Sequence, residues 1–206
     1  MTCAISLLSG LASCNKDSAE PEEEKDPDGS EQVDFAVDIG DSEIPYLVIE
    51  TTASILNEPK VPAEMSLYIN KELVQTNHIG IEYRGSTSFR LSDKKSYGIE
   101  TWDENGEDLD VSFFGWSEEE DWILMGQVVN LEEQYQFDHT MMYHYLAYEM
   151  SREMGRYASR TQYVEVQING QYQGVYVFME KLKRDGDRID LAKLNPEDIE
   201  GEELTG

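Results

Sequence analysis

The chain has 206 residues, 43 Asp and Glu against 16 Lys and Arg, and a formal net charge of −27. With a pI near 4.2 it is unsuited to nucleic acid, because a phosphate backbone is bound through net positive charge. Its two cysteines, Cys3 and Cys14, both precede the body, which excludes a core disulfide, a thiolate metal site and a cysteine nucleophile from the folded part.

No apolar run reaches bilayer-spanning length. The opening MTCAISLLSGLASC has an apolar centre, Ala4 to Leu11, that ends in small residues and a cysteine. Leu11-Ala12-Ser13-Cys14 resembles the lipobox of a bacterial lipoprotein signal peptide, although no Lys or Arg precedes the apolar run. Residues 1–14 are then the signal peptide, with Cys14 lipidated and anchoring the protein to a bacterial membrane, outside the cytoplasm. Residues 15–32 are acidic, carry Pro21, Pro27 and Gly29 and hold almost nothing to bury; a disordered tether is expected. The body is expected over 33–206.

Within the body, Ile44 to Glu50 reads as a strand, Thr51 to Pro62 as a turn-rich link, and Ser66 to Ile69 as a short strand followed by a hairpin turn at Asn70-Lys71. Two alternating segments, Ile79-Ile81-Tyr83 and Tyr97-Ile99-Thr101, have the period of two of β-strands. The connector between them holds Arg84, Gly85, three hydroxyl residues (Ser86, Thr87, Ser88), Arg90, Lys94 and Lys95. Four basic side chains within twelve positions stand out in so acidic a chain. A glycine and hydroxyls beside cations have the chemistry of a phosphate-binding turn. A polar loop whose lysines balance neighbouring acids accounts for the composition as well.

Asp103 to Gly106 marks a turn. Ser117 is placed to cap a short acidic turn, SEEED, and Trp122 to Gly126 forms a compact apolar segment. Asp138 to Arg152 is the strongest helix pattern, with Asp138 as N-cap, Phe137 packed on Met142 as a staple, and Gly155 just beyond the end. Met142, Leu146 and Met150 stack at four-residue spacing, widened by Tyr143 and Ala147 into an apolar stripe. His78, His139 and His144 lack zinc-ligand spacing. Gln162–Ile168 and Gln171–Glu180 flank Asn169-Gly170, a type I′ hairpin turn. An unbroken register sets Val164 opposite Val175. Val166 and Ile168 then share a face with Val177 and Met179. Tyr163, Glu165, Tyr172, Tyr176, Phe178 and Glu180 fall on the other, a ligand-pocket wall or a half-exposed sheet. Beyond the hairpin, Lys181, Lys183, Arg184 and Arg188 interleave with Asp185, Asp187 and Asp190.

GIEYRGSTSFRLSDKKSYGIE, GWSEEEDWILMG, the helix ending at SREMG, and VEVQINGQYQGVYVFMEKLKRDGDRIDL, in that order, resemble the CotH (spore coat protein H) kinase family of atypical, extracytoplasmic protein kinases. The resemblance implies an α+β, atypical protein-kinase-like domain of antiparallel strands and one major helix, and Thr205-Gly206 resembles the opening of a further motif, so that the domain is expected to be incomplete at its C-terminus. It implies ATP and Mg²⁺ as cofactors and protein Ser/Thr as the phosphoryl acceptor. It sets Arg84, Gly85 and Ser86 at the nucleotide-facing turn, Lys94 and Lys95 at the family's basic pair, and Glu180 and Lys181 at its Glu-Lys pair. The catalytic and metal-binding aspartates of the family lie beyond the hairpin; neither Asp187 nor Asp190 is matched to them, and activity of this chain alone is not expected. Two other classes fit the sequence: a non-catalytic cell-surface or coat-assembly module, and a polysaccharide-binding lipoprotein using Trp102, Trp116, Tyr172 and Tyr176.

Overall fold

The computed structural model describes residues 43–191; Cys14, the acidic tether and the terminal motif lie outside them. Seven strands form a closed barrel: β1 (Tyr46–Glu50), β2 (Val61–Ile69), β3 (Glu72–Arg84), β4 (Ser96–Trp102), β5 (Asp121–Met125), β8 (Thr161–Ile168) and β9 (Gln171–Glu180). The order around it is β1-β2-β3-β4-β5-β9-β8. Neighbours pair antiparallel except where β8 meets β1 in parallel and closes the ring. Closure removes the exposed strand edges that an open sheet must shield. A small ribbon of β6 (Val129–Asn130) and β7 (Tyr135–Gln136), a one-turn helix α1 (Thr87–Leu91) and a longer helix α2 (Tyr143–Glu153) complete the described residues.

Alternation builds the core. Leu47 and Ile49, Met65 and Leu67, Ile79 and Ile81, Tyr97 and Ile99, Trp122 and Leu124, and Val164 and Val166 all point into the barrel, where they form one buried cluster. Trp122 fills its centre, stacked on Phe178 at 5.3 Å and edge-on to Phe113 at 5.1 Å. The Asn70-Lys71 and Asn169-Gly170 hairpins form as their sequences predict, all four residues having positive φ. Gly106 likewise closes the Asp103 turn, its N–H donating to Asp103 O at 3.1 Å.

Several expectations are overturned. Strands β2 and β3 are longer than their apolar alternation indicates, and Pro62, expected in a link, sits within β2 opposite Gly80. The acidic SEEED segment forms no Ser117-capped turn; Glu119 bridges Val111 instead. The long helix begins at Tyr143 rather than Asp138. Asp138 is fully buried and caps a preceding turn, its carboxylate accepting from Thr140 N, Thr140 Oγ1 and Tyr143 N. Phe137 packs edge-on against Tyr143.

The hairpin register also differs. Ile168 pairs with Gln171 and Gln167 with Tyr172, but Val166 then pairs with Gly174, and Val164 with Tyr176 instead of Val175. Gln173 is the extra residue of a β-bulge, and Gly174 beside it has φ +85, open to glycine without the strain other residues meet there. One inserted residue inverts every later side chain of β9. Tyr176, Phe178 and Glu180, expected on a separate face, therefore enter the barrel. Val177 and Met179 turn outward to join Ile123, with Tyr148 of α2 packed against them.

Candidate functional site

Strand β3 ends at Arg84, and the chain turns through Gly85, where φ is +100 and a Cβ would lie 2.3 Å from Ser88 Oγ. Ser86 precedes α1 without its side chain capping the helix. Tyr83, Arg84, Gly85, Ser86, Phe89 and Arg90 line an open cleft of about 560 Å³ with Asn57, Glu58 and Glu82. Arg84 and Arg90 are both exposed.

The basic pair that follows divides its labour. Lys95 Nζ donates to Phe89 O and Ser92 O, both at 2.7 Å, so it satisfies carbonyls at the end of α1 that have no helical partner. Lys94 reaches the other way. Its Nζ donates to Val175 O and lies 4.4 Å from the Tyr176 ring centre. Among the described residues no carboxylate pairs with it, and burial lowers its pKa below the ordinary lysine value. Buried Ser92 fixes this segment: its hydroxyl donates to Lys94 O at 2.7 Å and accepts from Val129 N at 3.0 Å. Gly126 allows the loop after β5 to close on it, since a Cβ there would meet Lys95 O at 2.4 Å. A row of rings, Phe89–Tyr83–Tyr97–Tyr176, at centre distances of 5.2, 5.5 and 6.1 Å, connects the Gly85 turn to Lys94. Burial pushes the Tyr97 hydroxyl up to about 12, so it stays a neutral donor at physiological pH.

Glu180 and Lys181 lie elsewhere. Five residues of extended chain separate Glu180 from Val175, roughly 16 Å at the rise of a strand. The Glu180 side chain is wholly buried. It accepts from Arg160 N at 2.7 Å and Arg160 Nε at 2.9 Å, with Arg160 Nη2 at 2.7 Å and the Tyr157 hydroxyl at 3.3 Å. Lys181 pairs with Asp121 at 2.8 Å. Beside them Asp110, Glu119 and Glu120 bring carboxylate oxygens within 4.8 Å of one another. Lys183 donates to Glu119 at 2.7 Å and also to Glu120. A hydrogen bond from Glu119, aided by Lys183, holds Glu120 down to about 2, while burial and that same sharing raise Glu119. Arg188, 4 % exposed, donates to Asp121 O and Lys181 O and covers the Trp122 ring at 5.1 Å. Asp187 and Asp190 are exposed.

The structure thus does not bring all the predicted residues together. Arg84, Gly85 and Ser86 line the cleft, Lys95 holds the end of α1 and Lys94 reaches β9 at Val175 and Tyr176; Glu180 and Lys181 stand at the far end of β9 in an ion-pair network. Ser92, Gly126, Arg160 and Arg188 carry no local pattern that would single them out, because, apart from the bond of Ser92 to Lys94 O, their partners lie 7 to 67 positions away in sequence. Of the four aromatics proposed for polysaccharide, only Tyr172 is exposed; Tyr176 is buried, and Trp116 packs on Trp122 and Phe178.

No curated protein matches the chain. The model of the CotH kinase protein family matches residues 81–200, which takes in the Gly85 turn, both lysines, α2, the hairpin and the Glu180 network. The match covers more than half of the 206 residues, and the chain belongs to the CotH kinase family.

Proposed function

We propose that this chain supplies the nucleotide-facing part of a kinase-like protein that transfers phosphoryl groups from ATP to protein, held at an extracytoplasmic membrane surface by lipid on Cys14. Lys94 carries the reading. A half-buried ammonium with no carboxylate partner among the described residues is an uncompensated positive charge, and a polyphosphate would compensate it. Arg84, Ser86 and the backbone at Gly85 offer further donors beside the cleft, and Tyr83 and Phe89 offer aromatic faces. Cationic groups of this kind stabilise charge on a transferred phosphoryl group. Lys95 acts by holding α1, and Glu180 by holding the end of β9.

The Mg²⁺ that the family implies is not assigned to the Asp110–Glu119–Glu120 cluster. Lys183 already occupies the bridging position between Glu119 and Glu120, and the cluster stands near the Glu180 end of β9.

Titration of the full chain with ATP in a calorimeter, with and without Mg²⁺, tests the reading. Binding by the wild type that weakens at least tenfold in Lys94→Ala supports it, provided circular dichroism shows the variant folded. Absence of ATP binding by the wild type overturns it. Equal affinity in Lys94→Ala removes Lys94 from the site.

A further inference from the structure

One end of the barrel carries a second hollow that the nucleotide reading does not use. The ends of β1, β3 and β8 and the starts of β4 and β9 meet there, around an open pocket of about 470 Å³. Eleven residues line it and none is charged, in a chain of which 29 % is charged. Hydroxyls and carboxamides make most of the wall, and Ala53, Ile55 and Ile168 are its only aliphatic members. The wall is held in place by bonds of its own. Asn169 of the hairpin turn accepts from Thr51 N through Oδ1 at 2.9 Å. The Thr51 hydroxyl donates to Pro62 O at 2.7 Å and accepts from Ala53 N at 3.1 Å, and Tyr83 N donates to Leu56 O at 2.7 Å. The segment from Thr51 to Leu56 is thereby tied to β2, β3 and the hairpin. Thr52, Ser54 and Gln171 are exposed, and among the described residues their side chains hold no protein partner.

We propose that this barrel mouth binds an uncharged saccharide ring. Barrel mouths are a common place for small-molecule sites, and the chemistry of this one narrows the occupant. With no charged group in the wall, a phosphate, a carboxylate, a metal ion or an amino-acid zwitterion would lose water there and gain no counter-charge. A purine is held best between flat apolar faces. The two rings of this wall, Tyr83 and Tyr97, pack on each other at 5.5 Å and do not stand apart to enclose a base. A sugar ring has the complementary pattern. Its edge hydroxyls are each donor and acceptor, as are those of Thr52 and Ser54, and a carboxamide such as Gln171 offers one of each to a pair of them. Its C–H face suits Ala53 and Ile55. The pocket opens to solvent, so the bound ring can be one unit of a longer glycan. The inference does not rest on the ATP reading, since it uses a different pocket and makes no use of Lys94.

Saturation-transfer NMR of the full chain tests it. The probes are the methyl glycosides of glucose, galactose, mannose and N-acetylglucosamine, with adenosine beside them, each at about 5 mM, a level that reports millimolar dissociation constants. The expected result is transfer to the ring protons of at least one glycoside, with affinity at least about fivefold weaker in Thr52→Ala/Gln171→Ala and unchanged in Lys94→Ala. No transfer to any glycoside overturns the inference, and transfer to adenosine alone overturns it by giving the pocket to the nucleotide. A glycoside signal that persists in the double variant, shown folded by circular dichroism, overturns it too, as does one that vanishes in Lys94→Ala, because the sugar then lies elsewhere. If the double variant fails to fold, Gln171→Ala decides by the same criterion. ATP binding measured on the same samples decides the nucleotide reading separately, because neither Thr52 nor Gln171 lines the Gly85 cleft.

Discussion

Replacing Glu180 by alanine separates two roles the residue could play. Its side chain is fully buried and anchors four donors: Arg160 N, Arg160 Nε, Arg160 Nη2 and the Tyr157 hydroxyl. Breaking a buried ion pair by removing one partner costs about 3–5 kcal/mol, because the other charge is left uncompensated. Here the remaining Arg160 side chain is 28 % exposed and can recover some hydration, which favours the low end. Arg188 cannot; its side chain is 1 % exposed, and its Nε, 4.0 Å from Glu180 and 3.8 Å from Glu119, would depend on Glu119 alone. The expected loss is ~3 kcal/mol. In a chain of this length that lowers the melting temperature by roughly 6–12 °C. Glu180→Gln keeps an acceptor for Arg160 N and should lose about half as much. Urea denaturation and thermal melting at pH 7 give both numbers. A loss below ~1 kcal/mol in Glu180→Ala, accompanied by loss of ATP binding, would refute the structural assignment and return Glu180 to the ligand.

Two further outcomes follow from the fold and its charges. Deleting Gln173 removes the bulge yet leaves Gly174 opposite Val166 and Tyr176 opposite Val164, so Tyr176, Phe178 and Glu180 keep their inward face. The variant should fold and retain its near-ultraviolet circular dichroism, and a loss of that signal would refute the bulge assignment, while Gln173→Ala should stay within ~0.5 kcal/mol of wild type. Glu120, held near 2 by Glu119 and Lys183, has a depressed pKa, so its stabilisation is present above the unfolded carboxyl value of about 4.3 and is lost as pH falls toward 2. Denaturation midpoints at pH 5, 4, 3 and 2 should fall along that limb, and in Lys183→Met the fall should be shallower.

What the sequence made legible depended on the range of the interactions involved. Both hairpin turns were readable because Asn-Lys and Asn-Gly dictate their own backbone conformation, and the unbulged strands β4 and β5 carry their inward face as a period of two. The cationic turn was readable because four basic residues in an acidic chain form a local anomaly. Interactions that depend on distant partners were not. Asp138 has the signature of an N-cap, but its carboxylate is drawn to Thr140 and to Tyr143 N, so the helix starts five residues later. The apolar stripe of α2 is legible as a stripe, yet its direction is set by Tyr163 on β8 and by the outward face of β9. That outward face itself depends on Gln173 being left out of the ladder. Periodicity before the bulge and after it is equally regular, and only the pairing across to β8 reveals the one-residue slip. The consequence reaches the functional reading. The slip puts Tyr176 inside the barrel, where its ring meets the Lys94 ammonium, which donates a hydrogen bond to Val175 O. With an unbroken register Tyr176 would lie on the other face of β9 and Lys94 would have neither partner. The bulge, invisible to composition and period, is therefore what gives the Lys94 ammonium its two partners on β9.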